Sequence, residues 1–119
     1  MADEELRQAF RETATKLGET KQRIAHGEVV KQTAVKNERS SRLAAATLQE
    51  LGDKPTFKAV GRAFVLSTHA EELKRHTEEA EAQRLKIVNL EENRSKLEKS
   101  MEETERNLRE MVEQRRTSD

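Results

Sequence analysis

The sequence predicts a mainly α-helical protein in which two long helices form an antiparallel coiled coil and are joined by a short β-hairpin. Three observations support this fold class. A heptad repeat of apolar positions runs through the second half of the chain. The first half is a helical stretch of similar length that contains no proline. The segment between them holds the only proline of the chain and two of its three phenylalanines.

The first helix is predicted over residues 3–51, with Gly52 as its C-terminal cap. Its seam positions alternate in spacing between four and three residues, as a helix that packs along one side requires. Glycine within a helix costs about 1 kcal/mol relative to alanine, so this helix needs a partner. The sequence leaves open whether it continues through residues 39–41. The seam positions are Leu6, Phe10, Thr13, Leu17, Thr20, Ile24, Gly27, Lys31 and Ala34.

The hairpin is predicted over residues 55–66. Pro55 cannot continue the first helix, and β-branched and aromatic residues follow it. Gly61 lies in the middle of this stretch with apolar residues on both sides, so the chain is expected to turn at or next to it. A two-stranded hairpin alone is marginally stable in water, so another surface is expected to cover this one.

The second helix is predicted over residues 68–116 and begins with the capping box Thr68-x-x-Glu71. Both helices are about 49 residues long, roughly 70 Å at a rise of ~1.5 Å per residue. Matched lengths predict one domain over residues 1–119, with both chain ends at the tip opposite the hairpin. The two heptad series are Leu73, Ala80, Ile87, Arg94, Met101, Leu108 and Arg115, and His76, Gln83, Leu90, Leu97, Thr104 and Met111.

Composition excludes several functions. Charged residues make up 39% of the chain, with 23 of each sign, and this balance argues against nucleic-acid binding. There is no cysteine, so disulfides, thiolate zinc sites and cysteine nucleophiles are excluded. No apolar run approaches the ~20 residues that a membrane span needs, and the acidic start lacks the apolar region of a signal peptide. We therefore expect no membrane partner and a cytoplasmic location.

No catalytic or metal-binding arrangement is predicted. The three histidines His26, His69 and His76 have no acidic or cysteine partners at a metal-ligand spacing, and they are interpreted as solvated helix residues. Carboxylates lie along charged helix surfaces rather than in a sheltered pocket. Arg115 and Arg116 are interpreted as charges that favour a helix C-terminus. The chain is therefore not expected to be an enzyme or to need a cofactor.

The central segment resembles that of beta-class prefoldin subunits. The resemblance lies in Leu48-x-x-Leu51 followed by the stretch PTFKAVGRAFVL at residues 55–66. The opening LRQAF at residues 6–10 and the closing NLREM at residues 107–111 are also similar, so the resemblance covers nearly the whole chain. The sequence departs from the family at Thr13 and Gly27, where seam positions are usually more apolar.

This resemblance implies a subunit of the heterohexameric prefoldin co-chaperone. In that family, two alpha-class and four beta-class subunits join their hairpins into a β-barrel platform from which the coiled coils extend. The tips hold non-native chains such as actin and tubulin and pass them to the cytosolic chaperonin without ATP. Neither nucleotide nor metal is implied. The expected partners are other prefoldin subunits, unfolded client proteins and the chaperonin.

Two groups of site residues follow. Exposed strand residues are expected to be covered by neighbouring subunits, and the hairpin residues assigned to assembly are Phe57, Val60, Gly61, Phe64 and Leu66. Methionine suits adaptable apolar contacts, and the tip residues assigned to substrate binding are Leu6, Phe10, Leu108, Met111 and Val112. The tip residues have an alternative interpretation as the last turns of the seam.

Two other functions remain open from the sequence. The chain is also compatible with a structural coiled-coil scaffold that has no client, or with a subunit of a prefoldin-like nuclear complex. The hairpin argues against a plain scaffold, because a coiled-coil rod does not need an aromatic strand pair.

Overall fold

The computed structural model describes residues 3–118. Helix α1 spans Asp3–Leu51, strands β1 and β2 span Thr56–Val60 and Ala63–Ser67, and helix α2 spans His69–Ser118. The predicted fold class is confirmed: two long helices are joined by a short antiparallel hairpin. The predicted first helix has the same bounds, whereas the hairpin and the second helix each begin one residue later than predicted. The ends of the predicted domain, residues 1, 2 and 119, lie outside the described residues.

Helix α1 is continuous through residues 39–41. Its first turn carries three acidic residues, whose charge is favourable at the positive end of the helix dipole. The helix ends at Leu51, and Gly52 follows with a φ of 69°. This left-handed conformation is the one that glycine adopts most easily at a helix C-terminus, which confirms the predicted cap.

The chain divides into two compact units. The first unit contains residues 3–29 of α1 and residues 90–118 of α2. The second unit, Val30–Asn89, contains the remainder of both helices together with the hairpin. Each unit has its own narrow seam of buried residues.

The seam of the first unit is formed by predicted heptad positions. Leu6, Thr20 and Thr104 are buried in it. The two threonine hydroxyls are satisfied within their own helices, since Thr20 Oγ1 donates to the Lys16 carbonyl at 2.9 Å and Thr104 Oγ1 to the Ser100 carbonyl at 2.8 Å. Threonine therefore fills these seam positions without leaving a buried polar group unpaired.

Arg94 and Arg115 occupy places in the predicted heptad series, but both are exposed. The expectation that they lie in the seam is wrong for a physical reason. A guanidinium is always charged and stays hydrated, so the long side chain reaches outward. In the first unit, Arg94 pairs with Glu28 of α1 instead of packing between the helices.

The seam of the second unit is built from small residues and one carboxylate. Ala34 and Ala80 are buried at predicted positions, and Ser41 and Glu72 are buried with them. Leu73 and Ile87 are half-buried along the same seam. Small buried residues remove little apolar surface from water, so each contributes less than a buried leucine would.

The hairpin pairs Thr56 with Ser67 and Val60 with Ala63, which leaves Gly61 and Arg62 as a two-residue turn. Gly61 has a φ of 60°, whereas the φ of Arg62 is negative. A positive φ at the first turn residue only is the signature of a type II′ turn, which favours glycine there. The predicted turn at or next to Gly61 is thereby confirmed.

The start of α2 is tied to the hairpin and to α1. Thr68 Oγ1 accepts a hydrogen bond from the Glu71 amide at 3.1 Å, as the predicted capping box requires. His69 is half-buried, and its Nε2–H donates to the Leu48 carbonyl near the end of α1. The interpretation of His69 as a solvated residue is therefore wrong, because its ring satisfies one of the carbonyls that a helix end leaves unpaired.

Candidate functional site

One face of the hairpin is wholly apolar. Residues directly opposite in an antiparallel pair share a face, and Phe57 lies opposite Leu66 while Ala59 lies opposite Phe64. The exposed fractions are 59% for Phe57, 76% for Phe64 and 69% for Leu66. Three of the five predicted assembly residues are therefore brought together on one exposed surface, which we call the hairpin face.

The other two predicted assembly residues lie elsewhere in the hairpin. Val60 is exposed on the opposite face, which it shares with Ala63 and Val65. Gly61 lies in the turn and contributes backbone conformation rather than a side-chain surface. Ala59 completes the hairpin face but was not among the predicted residues, because alanine is a weak strand former and gives little signal in sequence.

In the described part of the chain, the sheet contains only β1 and β2, so each strand has one open edge. Open edges present unpaired backbone N–H and C=O groups that can pair with another strand. Strand addition by neighbouring chains would pair these open edges and extend the apolar face, which could then pack against the face of another sheet.

The hairpin face continues onto the end of α1. Phe57 and Phe64 line an open groove of about 590 Å³ together with Leu48 and Leu51. The leucines are one helical turn apart, so their side chains lie on the same side of α1. The apolar surface around the hairpin is therefore larger than the two strands alone.

A second apolar surface lies in the first unit, near the ends of both helices. Leu6 and Phe10 of α1 and Met111 and Val112 of α2 line an open groove of about 600 Å³, which we call the tip groove. Leu6 is buried, whereas Phe10 and Val112 are 41% and 46% exposed. Leu108 is half-buried and does not line the groove. The structure thus brings together four of the five predicted tip residues.

The remaining lining residues of the tip groove are all arginines: Arg7, Arg11, Arg115 and Arg116. Arg115 and Arg116 lie in the last turn of α2, where their charge is favourable to the helix dipole, as predicted. The heptad pattern alone could not predict that the four arginines line one groove, because the groove is formed by residues near the ends of both helices.

Sequence reasoning also missed Glu72. Its side chain is buried and accepts hydrogen bonds from Arg75 Nη2 at 2.6 Å and Ser67 Oγ at 2.9 Å. The Arg75 guanidinium, followed by the Ser67 hydroxyl, holds the pKa of Glu72 below its ordinary value against the opposing effect of burial. Glu72 connects the end of β2 to α2 and so helps to orient the hairpin.

Within residues 3–118 there is no group of three or more histidine, cysteine, aspartate or glutamate side chains placed to hold a metal ion. None of the helices described is long and apolar enough to cross a membrane. The candidate functional surfaces within the described residues are the hairpin face and the tip groove.

Two helices joined by a hairpin with an exposed apolar face are typical of a family of chaperone subunits. The sequence and the structure of this chain are both similar to members of that family. Residues 11–115 match the family described as prefoldin subunit. The chain belongs to the prefoldin family. It resembles the solved prefoldin beta subunit from Thermococcus strain KS-1 with a TM-score of 0.76 over 86% of this chain and 90% of that one, at 18% identity.

The similar sequences are named for one particular subunit. The chain is 38% identical to the probable prefoldin subunit 1 of Caenorhabditis elegans, over 98% of this chain and all of that protein. It is 30% identical to prefoldin subunit 1 of Homo sapiens, over 96% of this chain and 94% of that protein. The family resemblance carried by the hairpin segment is thereby confirmed.

Proposed function

We propose that this chain is a subunit of the heterohexameric prefoldin co-chaperone, where it works without being an enzyme and without a cofactor. The observation that carries this proposal is the hairpin face, an exposed apolar surface between two open strand edges. Leaving such a surface in water is unfavourable and invites aggregation, so a neighbouring subunit is its natural cover. Phe57, Phe64 and Leu66 would pack in that interface, with Val60 on the other face.

The tip groove is proposed to bind non-native polypeptides. Leu6, Phe10, Met111 and Val112 offer an open apolar surface to which unfolded chains can bind by burying their own apolar side chains. Methionine adapts to different shapes, which suits a surface that must accept many sequences. Clients such as actin and tubulin would then pass to the cytosolic chaperonin without ATP, and the location would be cytoplasmic.

Truncation before Leu108 tests client binding separately from assembly. Removing residues 108–119 takes Met111 and Val112 from the tip groove but leaves the hairpin intact. The truncated chain should join the hexamer normally and should suppress aggregation of denatured actin less effectively. Unchanged suppression by the truncated complex would show that the tip groove of this subunit does not bind clients.

A further inference from the structure

We infer that the tip groove selects acidic apolar segments, that is, unfolded polypeptide stretches in which apolar side chains are interspersed with aspartate or glutamate. This inference rests on the proposed function, because it names the class of client segment that the groove would bind. The evidence is the charge of the groove. Every charged side chain that lines it is an arginine: two on α1, Arg7 and Arg11, and two on α2, Arg115 and Arg116.

These arginines are available to a ligand. In the part of the chain that the structure describes, none of the four is in an ion pair with a carboxylate, whereas Arg94 and Arg109 each have an acidic partner. All four are exposed. Exposed guanidiniums beside an apolar groove can pair with carboxylates of a bound segment, often through two parallel hydrogen bonds.

Helix stability does not explain all of the arginines. Arg115 and Arg116 favour the C-terminal end of α2 through the dipole. Arg7 and Arg11 lie near the opposite, N-terminal end of α1, where the dipole favours acidic residues such as Asp3. The α1 side of the groove is therefore basic although positive charge does not stabilise this end of α1.

The apolar residues and the arginines of the groove have different roles. Leu6 and Met111 are at least half-buried, and with Phe10 and Val112 they offer the apolar contacts that supply affinity. The arginines would supply preference, because ion pairs at exposed sites are modest in strength but discriminate between opposite charges. A segment with lysines in place of the acidic residues would meet like charge at the same positions.

The test uses the full chain and three short labelled peptides with identical leucine and phenylalanine positions. The intervening residues are glutamate in the first peptide, glutamine in the second and lysine in the third. Fluorescence anisotropy should show the glutamate peptide binding about fivefold more tightly than the glutamine peptide, the gain expected from two exposed ion pairs. Added salt should reduce this difference. Methyl resonances of Met111 and Val112 should shift on binding.

The variant R7Q/R11Q should lose most of the preference for glutamate, and it spares the arginines that stabilise the end of α2. The matched control R23Q/R39Q removes the same charge from exposed positions of α1 outside the groove and should keep the preference. Equal binding of the three peptides, tighter binding of the lysine peptide, or an unchanged preference in R7Q/R11Q would overturn the inference while client binding stands. Failure of all three peptides to bind would contradict the proposed tip function as well.

Discussion

Arg94 donates to Glu28 across the seam of the first unit, with 2.7 Å between Nη1 of the arginine and Oε2 of the glutamate. The two residues are 66 positions apart in sequence. Arg94 occupies a heptad place between Ile87 and Met101, where an apolar residue would normally pack. A charged residue at such a place favours the one alignment of the helices in which it finds its partner.

The Glu28–Arg94 pair is predicted to contribute a small but measurable coupling energy. Both side chains are more than one-third exposed, so a double-mutant cycle with E28Q and R94Q should give a coupling of about 0.2–1 kcal/mol. Urea unfolding followed by far-UV circular dichroism measures each free energy. A coupling energy of zero would show that the pair does not stabilise the alignment of the helices in solution.

Glu72 is predicted to stabilise the protein through its ionised form. The variant E72Q should lower the free energy of unfolding at neutral pH by about 1–2 kcal/mol, because it weakens charge-assisted hydrogen bonds in a buried place. The exposed residue Glu92 offers a matched control, and E92Q should change stability by less than about 0.5 kcal/mol. Equal effects of the two substitutions would contradict the role assigned to Glu72.

The contribution of Glu72 should also depend on pH. Its pKa is lowered in the folded chain, chiefly by Arg75, so the unfolded chain binds the proton more readily. The stabilisation is therefore fully present above the ordinary pKa of about 4.5 and is lost as pH falls through the lowered folded value. The difference in stability between the parent chain and E72Q should shrink over that range. A difference that stays constant would contradict this assignment.

Gly61 is predicted to be needed for the turn. An alanine there must adopt a φ of 60°, which costs about 1 kcal/mol or more for a residue with a Cβ. The variant G61A should therefore raise the rate of amide hydrogen exchange in β1 and β2 about fivefold or more, the factor that corresponds to that cost. Unchanged exchange in both strands would show that the turn does not require glycine.

Substitution of Gly18 in α1 is predicted to stabilise the protein, in contrast to substitution of Gly61. It lies within α1, and a Cβ added there would have no atom within 4 Å apart from the adjacent residues and the nearby backbone of its own helix. The variant G18A should raise the free energy of unfolding by up to about 1 kcal/mol, because alanine loses less backbone entropy in a helix. Urea unfolding measures this gain. A loss of stability on this substitution would contradict the helical surroundings described for Gly18.

Much of the fold followed from local patterns. The heptad spacing identified Thr20, Ala34, Ala80 and Thr104 as seam positions, and each of them is buried. The helix end at Gly52 was also predictable from the local sequence, because glycine readily adopts the left-handed conformation that ends a helix. Predictions of this kind succeed because the period of the helix is set by the backbone and not by distant contacts.

The features that were not predicted depend on how different elements of the fold meet. Glu72 resembles the other helix glutamates in sequence, and its burial and its hydrogen bond with Ser67 of β2 became visible only in the structure. The four arginines of the tip groove come from opposite ends of the chain. Spacing along one helix carries no information on which side of the other helix lies nearby, so these arrangements required the structure.

The most direct test of the central claim is quantitative capture of the tagged full chain from its own cells, with mass spectrometry of the proteins retained. We predict five other small prefoldin subunits in stoichiometric amounts, with chaperonin at lower yield. The variant F57S/F64S should retain none of them, while L85S/V88S, which changes exposed apolar residues of α2, should retain them all. Capture of the chain alone, or of the full set of subunits by F57S/F64S, would contradict assembly through the hairpin face.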